Sequence, residues 1–179
     1  MLPAYAGSSD RMWNNTEIPL AYFITVRCYG TWLHGDEKGS VDRFNNVYGE
    51  PYAKADGGRK EFNANLMIGK PVKLDARRRK TVDDAVLEVC EKRKWQLLAL
   101  NVRTNHFHVV VSASANADST LNAFKAYATR KMREKNCWKN DYSPWVNKGS
   151  KRKLWNDRHI ELAVDYVING QGKDLPKFD

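Results

Sequence analysis

The chain has 179 residues and carries 30 Lys and Arg against 21 Asp and Glu, a formal charge of +9. That length suits one domain, and 42% hydrophobic residues with 11% aromatics supply a core, which argues against disorder of the whole chain. No apolar run reaches the roughly 18 residues that a membrane span needs, and the scattered cysteines Cys28, Cys90 and Cys137 argue against a disulfide framework or a Cys-based zinc site.

Residues 1–18 are polar, with Gly, Ser and Asn clusters, and read as a flexible arm without the charged and apolar regions of a secretory signal. A cytoplasmic location is expected. The run AYFITVRCYGTW is β-rich and alternating, a first strand. Residues 35–71 show no sustained periodicity and read as a long excursion from the domain. Asp75 is a plausible N-cap for a helix whose apolar face is Val82, Ala85, Val86, Val89 and Cys90. Its first turn carries Arg77, Arg78, Arg79 and Lys80, either a solvated face or a phosphate-facing patch.

WQLLALNVRT and HFHVVVSA are β-type runs separated by little more than Thr104 and Asn105, which favours an antiparallel hairpin. Asp118 and Ser119 can cap a further helix, with Leu121, Phe124, Ala128 and Met132 as its buried stripe. A basic, aromatic-interleaved stretch follows from Trp138 to Trp155, then a last helix with Ile160, Ala163, Val164, Val167 and Ile168 at helical spacing, ended by Gly170. The order points to an α+β domain over 19–172, a central antiparallel sheet with helices packed mainly on one face, and a short tail at 173–179.

His106 and His108 flank Phe107 in a strand-like run, so both imidazoles share one face while Phe107 takes the other. Two neutral imidazoles placed so can share one divalent metal; the alternative is that both lie on a solvated sheet face. On the helix of Leu121 to Met132, Tyr127 lies about 100° from the core direction, with Lys131 and Glu134 along the same edge. If that helix packs on the sheet, a tyrosine on that edge can keep its ring against the protein and aim its hydroxyl at a site on the strands. A phenol beside a metal-bound phosphate makes sense as a nucleophile that forms a phosphotyrosine link.

NVRTNHFHVVVSA resembles the HUH motif of the single-tyrosine HUH transposases, and LNAFKAYATRKMREK resembles the helix that carries their tyrosine. KRKLWNDRHIELAVDYVINGQG resembles the C-terminal region of the REP-associated tyrosine transposases within that family. The resemblance implies a ferredoxin-like or RRM-like sheet, His106 and His108 as ligands of Mg²⁺ or Mn²⁺, and Tyr127 as the nucleophile. It also implies cleavage of single-stranded or hairpin DNA through a 5′-phosphotyrosine, with a free 3′-OH and later strand transfer. Arg77, Arg103, Lys125, Arg130, Lys131, Lys151 and Arg152 are the candidate backbone contacts, and a monomer is favoured over a homodimer. Relatives place a third ligand, typically Gln, one turn after the tyrosine; here Lys131 stands there, and Lys has no lone pair to give. Glu134, His34 or Asp36 is a substitute ligand, or the DNA phosphate and water complete the shell. The alternative reading is a domesticated DNA-binding protein of the same fold that no longer cuts.

Overall fold

The computed structural model describes residues 18–37 and 53–172. Most of the expected arm, the tail at 173–179 and residues 38–52 of the excursion lie outside the described residues. Four strands form one antiparallel sheet: β1 (Ala21–Arg27), β2 (Gln96–Val102), β3 (His106–Ser112) and β4 (Ser150–Leu154), in the order β2-β3-β1-β4. Among the described residues four helices accompany it: α1 (Gly57–Asn65), α2 (Ala76–Arg93), α3 (Ala117–Glu134) and α4 (Asp157–Asn169).

The first strand, the hairpin and the three expected helices are all present, with an α+β sheet architecture. Asp75 caps α2 by accepting from Arg78 N at 2.8 Å. The cap of α3 is Asn116, whose side chain accepts from Ser119 N at 2.8 Å, so Asp118 and Ser119 lie inside the first turn. A capping oxygen bonds a donor two or three residues ahead, which suits the residue before Ala117.

Two elements were not expected. Helix α1 lies within the excursion and buries no residue; Phe62 and Leu66 are exposed, so no core-facing stripe marks it. Polar contacts hold it instead: Asp56 caps it, Asp56 N donates to Gly35 O at 3.0 Å, and Lys60 pairs with Asp36 at 3.3 Å. Gly35 has φ +91, and a Cβ there would sit 2.3 Å from Asp56 O, so the turn demands glycine. Strand β4 reads SKRKL, with every residue exposed except Leu154; its β character comes from pairing with β1 along an edge. Charged residues are a usual feature of such edges.

The sheet has a different core on each face. Tyr22, Ile24 and Val26 of β1 and Phe107, Val109 and Val111 of β3 pack with the stripes of α2 and α3, including Val82, Val86, Phe124, Ala128 and Met132. On the other face Ala21, Ala99, Val110 and Leu154 pack with Ala163 and Val167 of α4. Thus the two long helices cover one face, and the C-terminal helix lies alone on the other. Among the described residues no helix is long and apolar enough to cross a membrane.

Candidate active site

Alternation along β3 decides which helix meets the histidines. Because Phe107, Val109 and Val111 point into the α2–α3 core, His106 and His108 point to the α4 side. The antiparallel register sets Arg27 opposite His106 and Thr25 opposite His108, on the same face. The two imidazole centroids are 4.6 Å apart. Thr25 Oγ1 lies 2.8 Å from His108 Nδ1, and Asn105 Oδ1 accepts from His106 Nδ1 at 2.7 Å. Burial, reinforced by the neighbouring His106, pushes the His108 pKa down to about 4. His106 is also pushed below its ordinary value, chiefly by burial. Both rings are therefore neutral near pH 7, with lone pairs available.

Helix α4 brings Tyr166 to this face. Ala163 and Val167 face the sheet, and Tyr166, next to Val167, stands at the rim of that contact with 48% of its surface exposed. Its ring meets His108 edge-on at 5.6 Å and Phe23 at 5.9 Å. Just beyond the Gly170 cap, Gln171 Nε2 donates to Tyr166 O at 3.1 Å, which turns Oε1 towards the histidines, 3.5 Å from His106 Nε2. The site thus combines two neutral imidazoles, one carboxamide oxygen and one accessible phenol on a single sheet face.

A family described as IS200-like transposase matches residues 70–167, more than half of the chain, including both histidines and Tyr166. The chain belongs to the IS200-like transposases. It is similar to the structure of a REP-associated tyrosine transposase bound to a REP hairpin, at 13% identity and TM-score 0.49, covering 90% of this chain and 70% of that one. It is similar as well to a candidate transposase from Deinococcus radiodurans R1, at 12% identity and TM-score 0.43, covering 90% of this chain and 98% of the other. No curated protein matches the chain.

In this transposase Tyr127 is not beside the histidines. It lies on α3, across the sheet from them, at the margin of the α2–α3 core, with Arg130 over its ring at 4.2 Å and Lys92 at 5.8 Å. The expectation that α3 covers the histidine face fails because its apolar stripe must meet the apolar face of β3, and that is the face opposite His106 and His108. The substitute ligands fare no better. Glu134 pairs with Arg130 at 3.2 Å on the α3 side, and His34 is exposed in the turn leading to Asp36. Among the described residues no group of three or more His, Cys, Asp and Glu could hold a metal. Lys131 binds Glu88 of α2, so it neither occupies nor spoils the histidine site.

Most expected backbone contacts are engaged inside the protein. Arg77 donates to Lys135 O at 2.5 Å and Arg78 to Cys137 O at 2.9 Å, so the basic first turn of α2 satisfies carbonyls at the C-cap of α3 and just beyond it. Arg130 and Lys131 share Glu88, whose carboxyl is held down at about 2 by its hydrogen bonds from Lys131 and Lys92. Lys151 faces the α3 side and binds Asp118. Lys125 Nζ donates to Val146 O at 2.8 Å, Asn147 O at 3.0 Å and Lys148 O at 3.3 Å, gathering the segment before β4. Lys125→Met is expected to cost about 1–3 kcal/mol in urea unfolding while leaving the salt dependence of DNA binding unchanged. A reduced salt slope at unaltered stability would return Lys125 to the phosphate contacts.

Arg103 and Arg152 do belong to the histidine side. Arg103 N bonds His106 O at 2.8 Å across the hairpin turn, and Arg152 sits opposite Phe23 in the register. Arg27, which was not among the expected backbone contacts, joins them, with its guanidinium 3.7 Å above the Trp32 ring. Tyr166 and Gln171 were missed too. The available signal was the parity of β3: it sets the histidines against the helix that does not carry Tyr127, leaving the C-terminal segment to supply the tyrosine.

Proposed function

We propose that this transposase is a single-strand DNA nickase and strand transferase that uses Tyr166 as its nucleophile and His106, His108 and Gln171 as the holders of a divalent ion, Mg²⁺ or Mn²⁺. The observation that carries it is the meeting of Tyr166, His108 and Gln171 on one sheet face within an IS200-like transposase. The donor set suits such an ion: two imidazoles kept neutral by burial, and a carboxamide oxygen whose orientation is fixed by the bond of its own amide to Tyr166 O. When bound, the ion polarises the phosphoryl oxygens and offsets the charge that builds on them during attack.

The chain's own groups do the rest. The Tyr166 hydroxyl oxygen attacks the scissile phosphorus, forming the Tyr–O–P bond and releasing its proton to solvent. The P–O3′ bond breaks, and the departing oxygen takes a proton to leave a 3′-OH, with the 5′-phosphate held on the tyrosine. Because one phosphodiester replaces another, a second 3′-OH can reverse the exchange and join strands. Arg27, Arg103 and Arg152 on the same face hold the DNA backbone through charge-assisted bonds to phosphate oxygens. The partner is single-stranded or hairpin DNA. The rival reading of a binding protein that has lost cleavage drew on Lys131 in a ligand position; with Lys131 bound to Glu88 across the sheet, that support is gone.

The test is a denaturing gel of the protein with labelled single-stranded hairpin DNA from the flanks of its own gene and Mn²⁺, followed by peptide mapping of any adduct. The expected result is a protease-sensitive adduct on the peptide that contains Tyr166. It should be absent from the His106→Ala, His108→Ala double variant, which keeps DNA affinity within a few-fold because its phosphate contacts remain. An adduct that survives loss of both imidazoles sinks the metal assignment. Tight, salt-sensitive binding with no adduct in the wild type favours the binding protein.

A further inference from the structure

A neutral imidazole has one N–H and one lone pair, and the partner of Nδ1 decides which atom Nε2 presents. Asn105 Oδ1, 2.7 Å from His106 Nδ1, has no proton to give and so takes the N–H there. Thr25 Oγ1, 2.8 Å from His108 Nδ1 and opposite it in the register, can accept in the same way. On the far side of the rings, the bond from Gln171 Nε2 to Tyr166 O leaves Oε1 as the atom presented to His106 Nε2 at 3.5 Å. With its proton on Nδ1, His106 meets that oxygen lone pair to lone pair. Two lone pairs turned to one side are what a divalent cation would need from His106 and Gln171 as residues that would hold it. Were either imidazole protonated on Nε2 instead, an N–H would fill the same place.

We propose that Thr25 and Asn105 are positioning residues that hold His108 and His106 as their Nδ1–H tautomers and so reserve both Nε2 lone pairs for the divalent ion. This rests on the histidine pair being the metal centre. Partners of this kind orient ligating histidines and raise their basicity, and losing one weakens metal binding by about 10–100-fold. Thr25 carries the larger share: it is half-buried on the central strand β1, whereas Asn105 is exposed and its bond competes with water.

The experiment reads the tautomer directly. Long-range ¹H–¹⁵N spectra of the imidazoles in metal-free protein distinguish Nδ1–H from Nε2–H, and calorimetric Mn²⁺ titration of the same samples gives the affinity. Wild type should show His108 as Nδ1–H. Thr25→Val, which keeps the shape of the side chain, should lose that preference and bind Mn²⁺ about 10–100-fold more weakly, and Thr25→Ser should restore both. A wild-type His108 in the Nε2–H form overturns the proposal without any variant, as does Thr25→Val with tautomer and affinity unchanged. Wild type that binds Mn²⁺ no better than His108→Ala overturns the metal centre itself. That failure is told apart from failure of the tautomer lock because the spectra are read without metal.

Discussion

Tyr166→Phe should abolish the covalent protein–DNA adduct, a loss of at least about 10³-fold in the rate of its formation, while Tyr127→Phe should leave the adduct in place. Removing one oxygen atom from Tyr166 takes away the proposed nucleophile, and leaves the ring packed edge-on to His108 and Phe23. DNA affinity should therefore persist, which separates loss of chemistry from loss of binding. At Tyr127 the same change leaves the ring between Arg130 and Lys92, so stability should move by no more than about 0.5 kcal/mol. Adduct formation, peptide mapping and urea unfolding of the two variants check all of this. The assignment is reversed if Tyr127→Phe, and not Tyr166→Phe, loses the adduct.

The second large effect is expected at Phe107. Its side chain is fully buried and meets Trp145 edge-on at 5.3 Å, on the face of the sheet away from the site. Phe107→Ala should cost about 3–5 kcal/mol, from lost transfer free energy and the cavity left behind. Against a total stability of about 5–15 kcal/mol for a domain, that is a substantial part. The same substitution should lower Mn²⁺ affinity in the fraction that stays folded, because Phe107 anchors the strand between the two imidazoles. Phe107→Leu, which fills most of the volume, should recover much of both. Urea unfolding checks the first number and calorimetric titration the second; a loss below about 1 kcal/mol would mean that the strand is held by its ladder alone.

Much of this was legible in the sequence because it depends on local periodicity. Strand parity in HFHVVV put both imidazoles on one face, and the stripes of α2, α3 and α4 marked three helices and, apart from the exposed Ile168, their sheet-facing sides. Helix α1 and strand β4 were not legible. The first packs no apolar face, and the second is a run of Ser, Lys and Arg that becomes a strand only when β1 offers its edge.

What the sequence determined by itself was the order of the elements other than α1 and β4, the pairing of His106 with His108 on one side of a strand, and the membership of a transposase family. Those follow from alternation, 3.6-residue spacing and motif. The tertiary structure decided which tyrosine meets the histidines, which cations serve the fold and which stand beside the site. Helix α3 is drawn to the sheet face that is apolar in β1 and β3, so it cannot lie over the imidazoles. Helix α4, with a narrower contact through Ala163 and Val167, takes the remaining face and brings Tyr166 and Gln171 with it. The face that a helix takes depends on which sheet surface is more apolar once all four strands are in register. The parity of β3 points to the answer, but the comparison runs over strands far apart in the chain and is completed only when they pair.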